Sequence, residues 1–220
     1  MRFVHRPGEE RDLLLELKLI ADVSLVGYPN AGKSSLLCAI SNAAPAVASY
    51  PFTTLRPFVG MVPTDDMHLK SMAVCDIPGL IEGAHLNVGL GHDFLRHIER
   101  TKVLLYVVDM AGMDSRDPIE DFRALRHELV MYSEELLGRR SLIFCNKSDQ
   151  RPDVFEANVA RLREETHLPI ICGSARDAVN LDELVATLWQ MVQETDAQTK
   201  KKTLRPIANY SATSYSPGSL

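Results

Sequence analysis

Apolar residues along this chain alternate between two kinds of spacing. Continuous runs occur in "DVSLVG" (Asp22 to Gly27), "MAVCDIP", "VLLYVVD", "SLIFCNK" and "LPIICGSA". Each is short and closed by a glycine, a proline or a polar residue, as expected for strands buried on both faces of a parallel sheet. Between them the apolar positions fall three and four apart, which predicts helices near 32–43, 90–100, 118–137, 154–166 and 181–193. Phe122, Leu125, Leu129, Tyr132 and Leu136 then share one helical face. The predicted fold class is α/β: a mostly parallel six-stranded sheet with helices on both faces. Ligands bind such sheets at the carboxyl ends of the strands.

Two segments break the alternation. In residues 1–21, Leu15, Leu17 and Leu19 alternate with Glu16 and Lys18, a one-sided strand without an obvious partner. Residues 197–220 are rich in Ser, Thr, Pro and Lys and read as mostly disordered. Residues 22–196 would form one domain, which suits a chain of 220 residues. Apolar residues make up 45% and charged residues 24%, ordinary for a globular protein, and no apolar run is long enough to span a bilayer. A net charge of −5 argues against a surface built mainly to hold nucleic-acid backbones. The basic cluster Lys200 to Lys202, with Arg205, reads as a solvated tail. Cys38, Cys75, Cys145 and Cys172 are widely spaced, and three lie in or beside apolar runs. Reduced, buried thiols in an intracellular compartment are expected. Acidic residues interrupt the start of the chain before any apolar core forms, so no signal or transit peptide is visible.

The chemistry begins with "GYPNAGKS" (Gly27 to Ser34), which fits G-x-x-x-x-G-K-S and lies between a strand and a helix. Gly27 and Gly32 let the backbone curl so that its N–H groups face phosphate, and the following helix adds its positive end. Gly27, Tyr28, Pro29, Asn30, Ala31, Gly32, Lys33, Ser34 and Ser35 form the candidate phosphate site. Lys33 would reach the β- and γ-phosphates and Ser34 would offer its hydroxyl to magnesium. "ASYPFTTLRP" (Ala48 to Pro57) follows and suits a loop ordered by the terminal phosphate. Phe52, Thr53 and Thr54 are its candidate contacts. One threonine hydroxyl would be a metal ligand, and spacing alone does not choose between Thr53 and Thr54. "DIPG" ends a strand: Asp76 can hold magnesium through water, and the Gly79 N–H can approach the γ-phosphate.

"NKSD" (Asn146 to Asp149) selects the base. Guanine presents adjacent N1–H and N2–H donors, which an ionised Asp149 accepts together; adenine does not. Asn146 can tie this loop to the phosphate loop, and the Lys147 stem can cover the face of the base. "GSA" (Gly173 to Ala175), with Arg176 beside it, ends the last strand, and the Ala175 N–H could donate to guanine O6. Ser174 completes the base set.

"PGEERDLLLELKLIADVSLVGYPNAGKSSLL", "ISNAAPAVASYPFTTLRP" and "DIPGLIEGAHLNVGLGHDFLRHIER" each resemble segments of the Obg family of GTPases. The resemblance runs from about Pro7 to Met191. It implies slow, magnesium-dependent hydrolysis of GTP to GDP, and binding to the large ribosomal subunit (rRNA and proteins) during its maturation. It implies that Thr54 is the metal ligand, beside Ser34 and Asp76, and that Lys33, Thr54, Gly79 and Asn30 serve catalysis. It also implies a glycine-rich N-terminal domain that makes most of the ribosome contact. "PGEERDLLLELKLI" is similar only to its last strand and junction, so a shortened form is expected. "AISNAAPAVASYPFTTLRPFVG" is most similar to the mitochondrial ribosome-associated member of eukaryotes, which implies a mitochondrial location, with the cytoplasm or another organelle as the alternative. A monomer is expected. The alternative function is a nucleotide-dependent docking module on RNA or protein with little intrinsic hydrolysis.

Many GTPases place a glutamine after the D-x-x-G glycine to orient the attacking water. This chain has Leu80 there. Three substitutes remain open. G-x-x-N-x-G-K-S resembles potassium-activated GTPases, in which the asparagine, here Asn30, holds the cation against the phosphates; the alternative is that Asn30 only hydrogen-bonds the loop. His85 could handle a proton. The ribosome could complete the site.

Overall fold

The computed structural model describes residues 21–41, 46–47, 58–64, 70–76, 101–113, 115–132, 136 and 138–203. Its centre is β1 (Val23–Val26), whose four residues are all buried. That burial follows from parallel neighbours on both sides: β4 (Ser71–Asp76), with Val23 opposite Val74, and β5 (Val103–Asp109), with Val23 opposite Val103. Beyond β5 lie β6 (Arg140–Asn146) and β7 (Ile170–Cys172), both parallel. Beyond β4 lies β3 (Phe58–Pro63), antiparallel, then the two-residue β2 (Ala46–Val47), also antiparallel. The sheet order is β2-β3-β4-β1-β5-β6-β7. The expected six strands are present, and β2 adds a seventh too short for any periodicity to reveal.

Side chains alternate across the strands and so feed two cores. Leu104, Tyr106, Val108, Ile143 and Cys145 face α2 (Pro118–Tyr132) and α3 (Pro152–Glu165), meeting Phe122, Leu125, Leu129, Phe155 and Leu162. Val23, Leu25, Leu105, Val107 and Phe144 face α1 (Lys33–Ile40) and α4 (Leu181–Thr203), meeting Leu36, Leu37, Leu184 and Leu188. Of the predicted helical face, Phe122, Leu125, Leu129 and Leu136 are buried.

The helix ends have local causes. Asp117 Oδ1 accepts the Ile119 N–H at 2.8 Å and caps α2. Pro152 opens α3 after Arg151 in the left-handed region, φ 45°. Helix α4 continues through Thr203, past the 196/197 boundary and into the stretch read as disordered. Its composition explains this: residues 194–203 contain no glycine or proline, and Pro206 is the first breaker. Lys102 ties the helix to the sheet, reaching Asp196 at 2.8 Å and Asp22 at 2.9 Å. Two thiols depart from expectation, for Cys172 is only partly buried. Cys38 is exposed, because α1 turns Leu36, Leu37 and Ile40 to the sheet and leaves Cys38 outward.

Tyr106 and Phe122 meet edge to face, centroids 5.5 Å apart at 76°, both within 2% of full burial. Phe122→Ala should lower unfolding free energy by about 3–5 kcal/mol in urea denaturation, because the cavity cannot collapse between sheet and helix. A loss under about 1 kcal/mol would contradict that packing.

Candidate functional site

The carboxyl ends of the parallel strands β1, β4, β5, β6 and β7 all lie at the same edge of the sheet. Asp76, Asp109 and Asn146 are the last residues of β4, β5 and β6. Polar side chains gather there because the buried strands stop there.

Gly27 to Gly32 joins β1 to α1. The loop needs glycine at Gly32: its φ is +99°, and a Cβ would lie 2.2 Å from Asn146 Nδ2. Asn30 also sits in the left-handed region, φ 61°. Helix α1 starts without a side-chain cap and with no acidic residue in its first turn. An uncapped helix start under a curled loop is a place for phosphate oxygens. Lys33 Nζ donates to Gly27 O at 2.7 Å and Tyr28 O at 3.0 Å, holding the loop's first residues to its helix. Burial pulls the Lys33 pKa down, and the charge of Asp76 opposes this. Phosphate oxygens beside Lys33 would offset that burial cost.

The Ser34 hydroxyl donates to Asp76 Oδ2 at 2.6 Å. Asp76 Oδ1 is buried and has no hydrogen-bond partner among the described residues. A buried carboxylate oxygen left unpaired is costly. A hard cation or its water would satisfy it, and the Ser34 lone pairs remain open to the same ion. The pair therefore fits magnesium.

Asn146 joins the two halves of the site. Its Nδ2 donates to Ala31 O at 2.8 Å, and its Oδ1 accepts the Ala175 N–H at 2.9 Å. The Ala175 N–H, expected to face guanine O6, is thus given to Asn146. The expected tie between Asn146 and the phosphate loop is present and also reaches the last loop. Lys147, at φ 70°, extends Nζ to Asp109 Oδ2 at 2.7 Å. Asp149 Oδ1 accepts the Ser174 hydroxyl at 2.6 Å, and Arg176 lies 4.0 Å from Oδ2. Burial works against the Asp149 charge, but Ser174, backbone and Gln150 hydrogen bonds and Arg176 outweigh it and hold the carboxyl below its ordinary range.

Two residues at this edge escaped the sequence reading. Asp109 anchors Lys147 and accepts the Ala111 N–H at 3.0 Å; its place at the end of a strand, like Asp76, was the available signal. Arg116 lies 4.0 Å over the Tyr28 ring and pairs with Asp121 at 2.8 Å, which no spacing announces. Phe52, Thr53, Thr54, Gly79, Leu80 and His85 lie outside the described residues, as does the helix expected at 90–100.

Residues 22–147 match the family described as "50S ribosome-binding GTPase". The chain belongs to that family. Within it, this G domain is of the Obg type. It is 57% identical over 158 residues to the GTPase Obg of Symbiobacterium thermophilum, covering 72% of this chain and 36% of the relative. It is 51% identical over 193 residues to that of Desulfitobacterium hafniense, covering 87% and 45%. The chain thus spans less than half the length of these relatives. The G domain of the T. maritima FeoB iron transporter shares the fold, with TM-score 0.55 and 19% identity over 79% of this chain and 97% of that one. Among the described residues no helix is long and apolar enough to cross a membrane.

Gly32→Ala should push the new methyl against Asn146, break the tie to Ala31, and weaken guanine-nucleotide affinity by about a hundredfold or more, read by calorimetric titration. Unchanged affinity would show that the tie is dispensable. A second test uses pH. Because the Asp149 pKa is lowered in the folded protein, its contribution is complete above the ordinary carboxylate value. It is lost as pH falls through the lowered one. Affinity for GDP should therefore show no Asp149-linked loss from about pH 8 to about pH 5, and Asp149→Ala should lower it across that whole range.

Proposed function

We propose that this G domain binds GTP and hydrolyses it to GDP and phosphate. The observation that carries the proposal is the Asn146 carboxamide, which holds the phosphate loop at Ala31 and the base loop at Ala175 in one arrangement. A single ligand with phosphate at one end and guanine at the other would use both loops that Asn146 joins. Asp149 accepts the two guanine donors as a carboxylate. Lys33 and the α1 start take the phosphate charge. Ser34 and Asp76 would hold magnesium, with Thr54 as third ligand by the family resemblance. Bound there, the ion would supply positive charge that offsets charge developing on the phosphate. The Gly79 N–H is assigned to the γ-phosphate.

Leu80 cannot orient water, so the missing polarity comes from elsewhere. The favoured source is potassium at Asn30, which stands in the phosphate loop with a left-handed backbone, φ 61°. His85 and the ribosome are the other two sources. We propose the large ribosomal subunit, during its assembly, as the partner, in line with the family description and the Obg relatives. A mitochondrial location and a monomeric state complete the proposal, the first resting on "AISNAAPAVASYPFTTLRPFVG".

Phosphate release at saturating GTP should be faster in KCl than in NaCl by at least about tenfold, and Asn30→Ala should remove the difference. Equal rates in the two salts would reject potassium. Added large subunits should raise the rate further. No release under any of these conditions would favour the docking module over the hydrolase.

A further inference from the structure

Cys145 and Cys172 are cross-strand partners at the last rung of the β6–β7 ladder. Adjacent parallel strands lie about 4.8 Å apart, within the range of separations a disulfide can bridge. Both residues belong to the face covered by α2 and α3, Cys145 buried and Cys172 partly exposed. The register sets their Cα atoms directly opposite each other, and both side chains lie on the same face of the sheet. The next residue on each strand enters the nucleotide site: Asn146 after Cys145, and Gly173 then Ser174 after Cys172. The connection has no slack. The Gly173 N–H donates to Cys145 O at 2.9 Å, and Gly173 O accepts the Ser148 N–H at 3.1 Å. A Cβ on Gly173 would meet Val179 O at 2.4 Å.

We propose that Cys145 and Cys172 form a peroxide-responsive dithiol whose closure to a disulfide loosens guanine-nucleotide binding. The coupling half rests on the nucleotide reading above; the bridge itself does not. Cys172 is the attacking group. The neighbouring Cys145 thiol outweighs burial and, with Arg163 against Glu156 and Glu183, brings the Cys172 pKa down to about 7. Cys145 is pushed up by the neighbouring Cys172 and by burial, so it keeps its proton until it attacks. The Cys172 thiolate attacks one oxygen of hydrogen peroxide, forming S–OH and releasing hydroxide, which takes a proton to become water. Cys145 sulfur then attacks the sulfenyl sulfur. The S–S bond forms, hydroxide leaves, and the Cys145 proton goes with it as a second water. Two thiols lose two electrons and one peroxide gains them. Drawing the two sulfurs into covalent contact shifts the ends of β6 and β7, and with them the Asn146 tie and the Ser174 bond to Asp149. Cys75, buried and pushed up to about 12, is not reactive, and exposed Cys38 is the internal control for unselective oxidation.

The test uses the full chain. Reduced protein is titrated with fluorescent GDP, treated with a few equivalents of hydrogen peroxide, capped at free thiols, mapped by mass spectrometry and titrated again. The expected result is a Cys145–Cys172 cross-link, affinity weakened roughly tenfold as for one mis-set hydrogen bond to a charged group, and recovery with dithiothreitol. Cys172→Ser should abolish the response and Cys38→Ser should keep it. Cys145→Ala should leave a sulfenic acid on Cys172 that dimedone traps. Oxidation confined to Cys38, or no cross-link, overturns the dithiol. A cross-link with unchanged affinity overturns the coupling. Reduced protein that binds no guanine nucleotide shows that the nucleotide reading has failed, and the coupling falls with it, while the mass map still decides the bridge.

Discussion

One carboxamide sets the distance between the two halves of the proposed nucleotide site. Asn146 is 3% exposed, and its amide spends a donor on Ala31 O and an acceptor on the Ala175 N–H. The planar group cannot move toward one partner without leaving the other, and away from water both bonds strengthen. Aspartate in its place would lack the donor, and leucine would lack both. Asn146 is itself fixed by the sheet, since it pairs with Asp109 on the neighbouring strand. The register of β5 and β6 is thereby transmitted to a phosphate loop that neither strand touches in sequence.

The same edge concentrates charge. Lys147 and Asp109 neutralise each other, with side chains only 19% and 15% exposed, while Asp76 keeps one oxygen unpaired. A folded chain tolerates such an oxygen when function supplies its partner. The sheet interior carries one such cost as well: the Ser24 hydroxyl on the central strand is buried and makes no side-chain bond among the described residues.

Much of this was readable from the chain because it is local. The Gly-Lys-Ser spacing, the buried runs and the Asp76 carboxylate that closes a strand all depend on neighbours within a few residues. What escaped depends on contacts far apart. The Asn146 bond to Ala31 spans 115 positions and that to Ala175 spans 29, so the base-loop N–H was assigned to the ligand rather than to the asparagine. Arg116 reaches Tyr28 across the sheet edge, and nothing near either residue signals it. The end of α4 was misjudged for another reason. Three lysines looked like a solvated tail, but charge does not stop a helix, and glycine or proline does.

The lysine of the phosphate loop is already in use. Lys33 donates to two carbonyls, Gly27 O and Tyr28 O, at 2.7 and 3.0 Å. In the proposed function, phosphate would take the third ammonium proton directly and would compete with two peptide oxygens for the other two. For those two protons the affinity gained is the difference between two sets of acceptors, not the full strength of a charged hydrogen bond. Departure is eased in equal measure, because the carbonyls retake the protons as the phosphate leaves. The loop acts as an exchange surface on which the outgoing and incoming oxygens trade places around a cation that is never left alone.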